Sequence, residues 1–184
     1  MAIRRPTKPR LTPSVDAVAN ASEISSPANV IATMATHHER LYKHWLRFHA
    51  MVLLGFEAPR RDRELVILRM GWLCQSVYEF GQHTLYGRNE GGLTELEIYS
   101  LTRPLDTYAW SEAELTLLQM TDDLYANDAV SDDVWAELER QWPTQQVVEF
   151  VVTALAYRMT CGLLNTLGVE LDEGTPGWPT PPPA

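Results

Sequence analysis

The chain has 184 residues, a formal net charge of −9, and 45% hydrophobic against 21% charged side chains, the balance of an ordinary globular protein large enough for one core and short for two. An acidic balance disfavours nucleic acid as the main partner. No apolar run approaches the ~20 residues of a membrane span, and no apolar block follows the N-terminal charges as in a secretory signal, so the expectation is a cytoplasmic enzyme or binding protein with no membrane partner.

Residues 1–26 are rich in Pro, Ser, Ala and basic side chains, with Arg4, Arg5, Lys8 and Arg10 near the start, and read as a solvated tail or arm. A helical domain is expected over 27–172. Its first helix is predicted from Pro27 to Val52, with Ser26 as N-cap and apolar marks at Val30, Ile31, Met34, Leu41, Trp45 and Phe48. The second begins near Pro59 and carries Leu65, Val66, Leu68, Arg69 and Trp72; the third starts near Ser76 and ends at Gly91-Gly92. A short helix follows at Thr94–Leu101. The next is opened by Ser111 with Glu114 three residues on, the reciprocal capping pattern, and runs to about Tyr125. Ser131 caps another ending near Trp142, and Pro143 begins the last, which reaches Leu167 before Gly168.

That last helix is apolar on most sides (Val147, Val148, Phe150, Val151, Leu155, Met159, Leu163, Leu164), which points to a central helix or a subunit interface and hence to a homo-oligomer, whether dimer, trimer or hexamer. Residues 173–184 form a Pro-rich tail that excludes regular helix; Trp178 within it suggests docking on a neighbour. The sum is an all-α, single-domain bundle of about six or seven helices. Cys74 and Cys161, the two thiols, lie far apart in sequence, form no ligand-like cluster with histidines, and read as buried and reduced.

Potential chemistry concentrates between Arg61 and His83. Glu79 and His83 are four residues apart, so on a helix they share one face and could share a proton or a ligand. Ser76-Val77-Tyr78-Glu79 also fits a capping box, which would leave Glu79 to cap and to orient His83. A lone His83 would read as a satisfied, partly buried histidine, and Glu64, beside Arg61, Asp62 and Arg63, as part of a solvated charge run. Arg69, Trp72, Ser76, Glu79 and His83 would line one stripe if the helix continued through Gln75. Arg69 could then bind a carboxylate or enolate, or pair with Glu64 or Asp62. Trp72, Tyr78 and Phe80 could wall a flat organic substrate, or be core. Of His37, His38, His44 and His49, which straddle different faces of the first helix, His38 is expected to face the site. Glu64, Glu79 and His83 could hold a divalent ion, but nothing in their spacing demands one, and neither metal nor cofactor is expected.

The run Asn29 to Met34 with His37-His38, then Arg63-Glu64-Leu65-Val66-Ile67-Leu68-Arg69, then Tyr78-Glu79 and His83, resembles the carboxymuconolactone decarboxylase and alkylhydroperoxidase D-like family over about Asn29–Asp172. The resemblance implies an all-helical, oligomeric fold with sites near subunit contacts. Its peroxidase branch uses a glutamate, a CxxC pair and a histidine four residues after the second cysteine. Carried onto this chain, the glutamate matches Glu64 and the histidine His83, while the cysteine positions hold Ser76 and Glu79. The redox pair is absent, and Cys74 would lie about 200° around a continuous helix from Ser76.

The resemblance therefore implies cofactor-free acid/base chemistry on a small organic acid, lactone or enolisable carbonyl by His83, Glu79 and Glu64: decarboxylation, lactone opening or isomerisation. Arg69, Trp72, Ser76, Tyr78, Phe80 and His38 are the expected substrate-binding residues. A peroxidase or reductase using Cys74, and a noncatalytic helical binding protein, are the alternatives.

Overall fold

The computed structural model describes residues 6–14 and 28–181; the expected Ser26 cap, Pro27 start and the Arg4-Arg5 pair lie outside them. Eight α-helices and no strand occur among the described residues: α1 (Asn29–His37), α2 (Glu39–Ala50), α3 (Arg60–Leu73), α4 (Val77–Asn89), α5 (Glu95–Ser100), α6 (Glu112–Asn127), α7 (Asp132–Gln141) and α8 (Thr144–Leu167). A π-helical turn at Met51–Gly55 follows α2, and a 3₁₀ turn at Leu105–Thr107 precedes α6.

α3 is the axis of the bundle. Every residue from Arg63 to Gly71 is buried, and the helix packs against α4, α6 and α8. Val66, Ile67 and Met70 join Leu117, Met120, Val147, Phe150 and Ala154 in one core. Leu65 and Leu68 face a second, with Phe80, Ile98, Leu101 and Leu118. Each fully buried aliphatic or phenyl side chain contributes about 1.5–3 kcal/mol of burial free energy. The long α8 is apolar enough to cross a membrane by length and composition, yet 56% of its most apolar window is buried within the bundle. Its other side leaves Val148, Leu155 and Met159 exposed.

The expected single helix over 27–52 is two. His38 leaves the helical region (φ −158°, ψ 75°), and its Nδ1 accepts a hydrogen bond from Leu41 N, so a histidine serves as the N-cap of α2. Thr94 with Glu97 and Ser111 with Glu114 both form complete capping boxes. Ser131 holds the N-cap position of α7 without a capping hydrogen bond, and its hydroxyl donates to Asp123.

α3 ends in a Schellman turn whose left-handed residue is a glutamine. Gln75 has φ 54°, Ser76 N donates to Gly71 O at 2.8 Å and Gln75 N to Trp72 O at 2.8 Å. The helix therefore does not run through Gln75, and the stripe from Arg69 to His83 is broken.

Both ends of the described chain lie against the bundle. Arg10 N donates to Leu167 O at 2.8 Å, and Ser14 N to Thr36 Oγ1 at 3.0 Å. After the left-handed Gly168 (φ 70°), the C-terminal segment crosses α4 so closely that a Cβ on Gly81 would stand 2.2 Å from Pro176 O. Trp178 docks within the same chain, on Trp72 and Phe80, each with ring centroids at 5.2 Å. Asp172 collects Asn29 N (2.6 Å), Tyr78 Oη (2.7 Å) and Gln82 Nε2, fastening α1 and α4 together.

Candidate functional site

α3 and α4 each deliver one acid to the same imidazole. Glu64, on the buried face of α3, is 0% exposed, and His83 on α4 is 3% exposed. His83 Nδ1 lies 2.7 Å from Glu64 Oε2; a carboxylate only accepts, so Nδ1 carries the hydrogen and the ring is fixed in tautomer and orientation. Glu79, one turn before His83, places Oε2 3.6 Å from the opposite nitrogen, Nε2. Glu64 is thus an orienting partner inside the core rather than a member of a solvated charge run.

The electrostatics follow from burial. Desolvation pushes the Glu79 carboxyl up to about 7 against the opposing pull of His83, and the Glu64 charge adds to the rise. For His83, burial opposes protonation, but the Glu64 charge and hydrogen bond, with Glu79, raise its affinity for a proton above the ordinary value. Glu64 Oε1 is buried without a hydrogen-bond partner among the described residues. The site therefore holds an imidazole with a raised proton affinity, clamped to Glu64 and facing a second carboxyl that titrates near neutrality.

Glu79 and His83 form the polar end of a cavity of about 150 Å³. Val30, Ile31, Trp45, Leu46 and Leu53 supply apolar wall, and Tyr157 stands edge-on to His83 with centroids at 4.7 Å. Among the described residues, no lysine or arginine lines it. A larger cleft of about 210 Å³, between residues 6–9 and the Gly168 turn, contains neither acid nor imidazole of this group.

His49 also lines the cavity, and it was not among the expected site residues. Its Nδ1 donates to Trp45 O at 3.0 Å and its Nε2 meets Thr160 Oγ1 at 2.7 Å. Burial holds it toward the neutral form, and the Thr160 hydroxyl that it meets also reaches Ala156 O at 2.9 Å. The histidine at the cavity is therefore His49, not the exposed His38, whose ring is used in capping. The break between α1 and α2 re-aims everything after it, a signal absent from helical spacing.

Of the other expected residues, Tyr78 lines the cavity with its hydroxyl bound to Asp172. Trp72 and Phe80 belong to the second core and to the Trp178 contact. Ser76 is fully buried at the start of α4 but caps nothing, so the capping-box reading fails and Glu79 is left to face His83.

Arg69 is far from substrate duty. Its guanidinium grips Asp122 through Nε (2.7 Å) and Nη2 (2.8 Å), and Nη1 donates to Leu101 O and Arg103 O. Its partner is neither Glu64 nor Asp62. Arg69→Met is expected to lower stability by about 2 kcal/mol, since it strands Asp122 and a buried carbonyl, with turnover per folded molecule unchanged. Urea denaturation alongside an activity measurement checks both halves.

Among the described residues, no group of three or more His, Cys, Asp or Glu side chains is arranged to hold a metal ion; the His83 ring itself occupies the space between the two carboxylates.

The family model described as the carboxymuconolactone decarboxylase family matches residues 39–123, the stretch holding Glu64, Glu79 and His83. No curated protein matches the chain. An uncharacterized peroxidase-related protein from Silicibacter sp. TM1040 is similar in structure, with TM-score 0.75, 12% identity, and 93% of each chain covered. The alkylhydroperoxidase AhpD core of an uncharacterized peroxidase-related protein from Ralstonia eutropha JMP134 has TM-score 0.68 at 13% identity, over 86% of this chain and 84% of that one. A protein of unknown function from Agrobacterium tumefaciens has TM-score 0.70 at 17% identity, over 75% and 94%. At such identities the likeness carries the fold.

Proposed function

We propose, from the premise that this chain belongs through residues 39–123 to the carboxymuconolactone decarboxylase family, that it catalyses cofactor-free proton transfer on a small neutral carbonyl compound, an unsaturated lactone or an enolisable ketone. The observation that carries this reading is the buried Glu64–His83–Glu79 relay ending in a largely apolar cavity that, among the described residues, no lysine or arginine lines. Arg69, the expected carboxylate binder, is fully engaged elsewhere. An anionic substrate would meet two glutamates with no lysine or arginine among the described lining residues to offset them, which favours isomerisation or lactone chemistry over decarboxylation of an acid.

In this mechanism ionised Glu79 removes a proton from the carbon beside the carbonyl. The C–H electron pair moves toward the carbonyl, and the oxygen accepts a hydrogen bond from protonated Nε2 of His83. Glu64 holds Nδ1, so the ring presents Nε2 to the cavity at every turnover. Return of the proton from Glu79 to a different carbon shifts the double bond. Val30, Ile31 and Trp45 exclude water, which strengthens both interactions.

The test is solvent-hydrogen exchange. In D₂O the wild-type protein is expected to introduce deuterium into neutral unsaturated lactones or ketones, read by mass spectrometry, and His83→Ala to abolish it. Loss of carbon dioxide from carboxylate analogues, with no label entering any neutral compound, would replace this reading by decarboxylation. No turnover of either class would favour a binding protein.

A further inference from the structure

The two thiols, 87 positions apart in sequence, meet in the fold. Asn165 on α8 donates from Nδ2 to Cys74 O at 3.0 Å, and Cys161, one turn earlier on the same face of α8, hydrogen-bonds the Cys74 sulfur with its thiol. Cys74 closes α3 in the helical conformation (φ −73°, ψ −7°), and the meeting is set by where α8 crosses the end of that helix. Cys74 is half-buried, with its thiol also 3.7 Å from Met70 Sδ, Cys161 is fully buried, and the Ser76 side chain borders the Cys161 sulfur.

We propose that Cys74 and Cys161 form an oxidisable dithiol that a hydroperoxide closes into an intramolecular disulfide joining the end of α3 to α8. This does not depend on the proton-transfer reading. Cys74, the less buried of the two residues, attacks the peroxide: an S–O bond forms, the O–O bond breaks, and the alcohol or water leaves with the thiol proton. Cys161 then attacks the Cys74 sulfenic acid: the S–S bond forms, the S–O bond breaks, and water departs with the Cys161 proton. One peroxide is reduced for two thiols oxidised. Burial and the donated hydrogen bond hold Cys161 protonated, which suits a resolving partner more than a first nucleophile. Because Cys74 immediately precedes the turn into α4, closure would set the start of the helix that carries Glu79 and His83.

The test is non-reducing peptide mapping of the full chain after hydrogen peroxide or cumene hydroperoxide, with dimedone present to trap sulfenic acid. The expected product is a Cys74–Cys161 cross-linked peptide within one chain, lighter by two hydrogens and reversed by dithiothreitol. Cys161→Ala, checked for native circular dichroism, is expected to accumulate a dimedone adduct on Cys74 that the wild type does not. Equal Cys74 labelling in both proteins, cross-links only between chains, or two thiols still alkylatable after peroxide would each overturn the proposal.

Discussion

His83→Ala is expected to lower kcat/KM for deuterium exchange by about 10³-fold, within the 10²–10⁴ range typical of a positioned proton-transfer group. The ring touches both acids, Glu64 at 2.7 Å and Glu79 at 3.6 Å. Its removal ends donation to the substrate oxygen and leaves a fully buried Glu64 without its hydrogen-bond donor. Losing one member of a buried pair costs about 3 kcal/mol, so folding stability must be measured beside activity. Added imidazole separates the two roles. It fits the space vacated by the side chain, and partial recovery of exchange is expected if the ring acts chemically. A loss under tenfold at matched folded fraction, or no recovery, would count against the mechanism.

Glu79→Gln is expected to reduce turnover by a similar factor and, uniquely, to change the pH dependence of both activity and stability. In the wild type kcat/KM should rise as Glu79 ionises near pH 7 and fall at higher pH as His83 loses its raised-affinity proton; the variant should lack the rising limb. For stability, Glu79 has a carboxyl pKa of about 7 when folded against 4.5 unfolded. The folded state binds more protons between those values, so stability falls as pH rises from about 4.5 to 7, by on the order of 3 kcal/mol. His83, also raised, continues the fall above its unfolded value. The amide resembles the protonated carboxyl and should flatten the lower part of that decline. Glu97 and Glu114, held low by hydrogen bonds and ion pairs to Arg61, gain stability only below this window. Chemical denaturation of both proteins from pH 5 to 8 checks it; parallel curves would show that Glu79 is already ionised at pH 5.

The bundle could be read from the chain because its helix starts carry their own chemistry. Ser111 with Glu114 caps α6 as its spacing predicts, and Gly168 stops α8 in the left-handed region. Glu79 and His83 were legible through a four-residue step. What could not be read were events that depend on contacts across the fold. The His38 break uses a residue with no strong capping preference, and it moves the cavity histidine to position 49. Arg69 follows the stripe in sequence, but the turn at Gln75, a left-handed position filled by a non-glycine residue, ends the helix and re-aims Ser76 to His83 away from it, while the guanidinium grips Asp122 on α6. The Ser76–Glu79 pattern has capping spacing; burial of both residues outweighs it. The meeting of the two thiols has no sequence signature at all, since it is set by where α8 crosses the end of α3.

Asp172 binds Asn29 at the head of the first helix and Tyr78 and Gln82 along one wall of the cavity. During synthesis the acid–base groups of positions 64 to 83 leave the ribosome early, but the clasp that closes their chamber emerges more than eighty residues later. No nascent chain that stops before Asp172 can form it, so the chamber acquires its finished outline only after sequence made well beyond its acid–base groups has emerged.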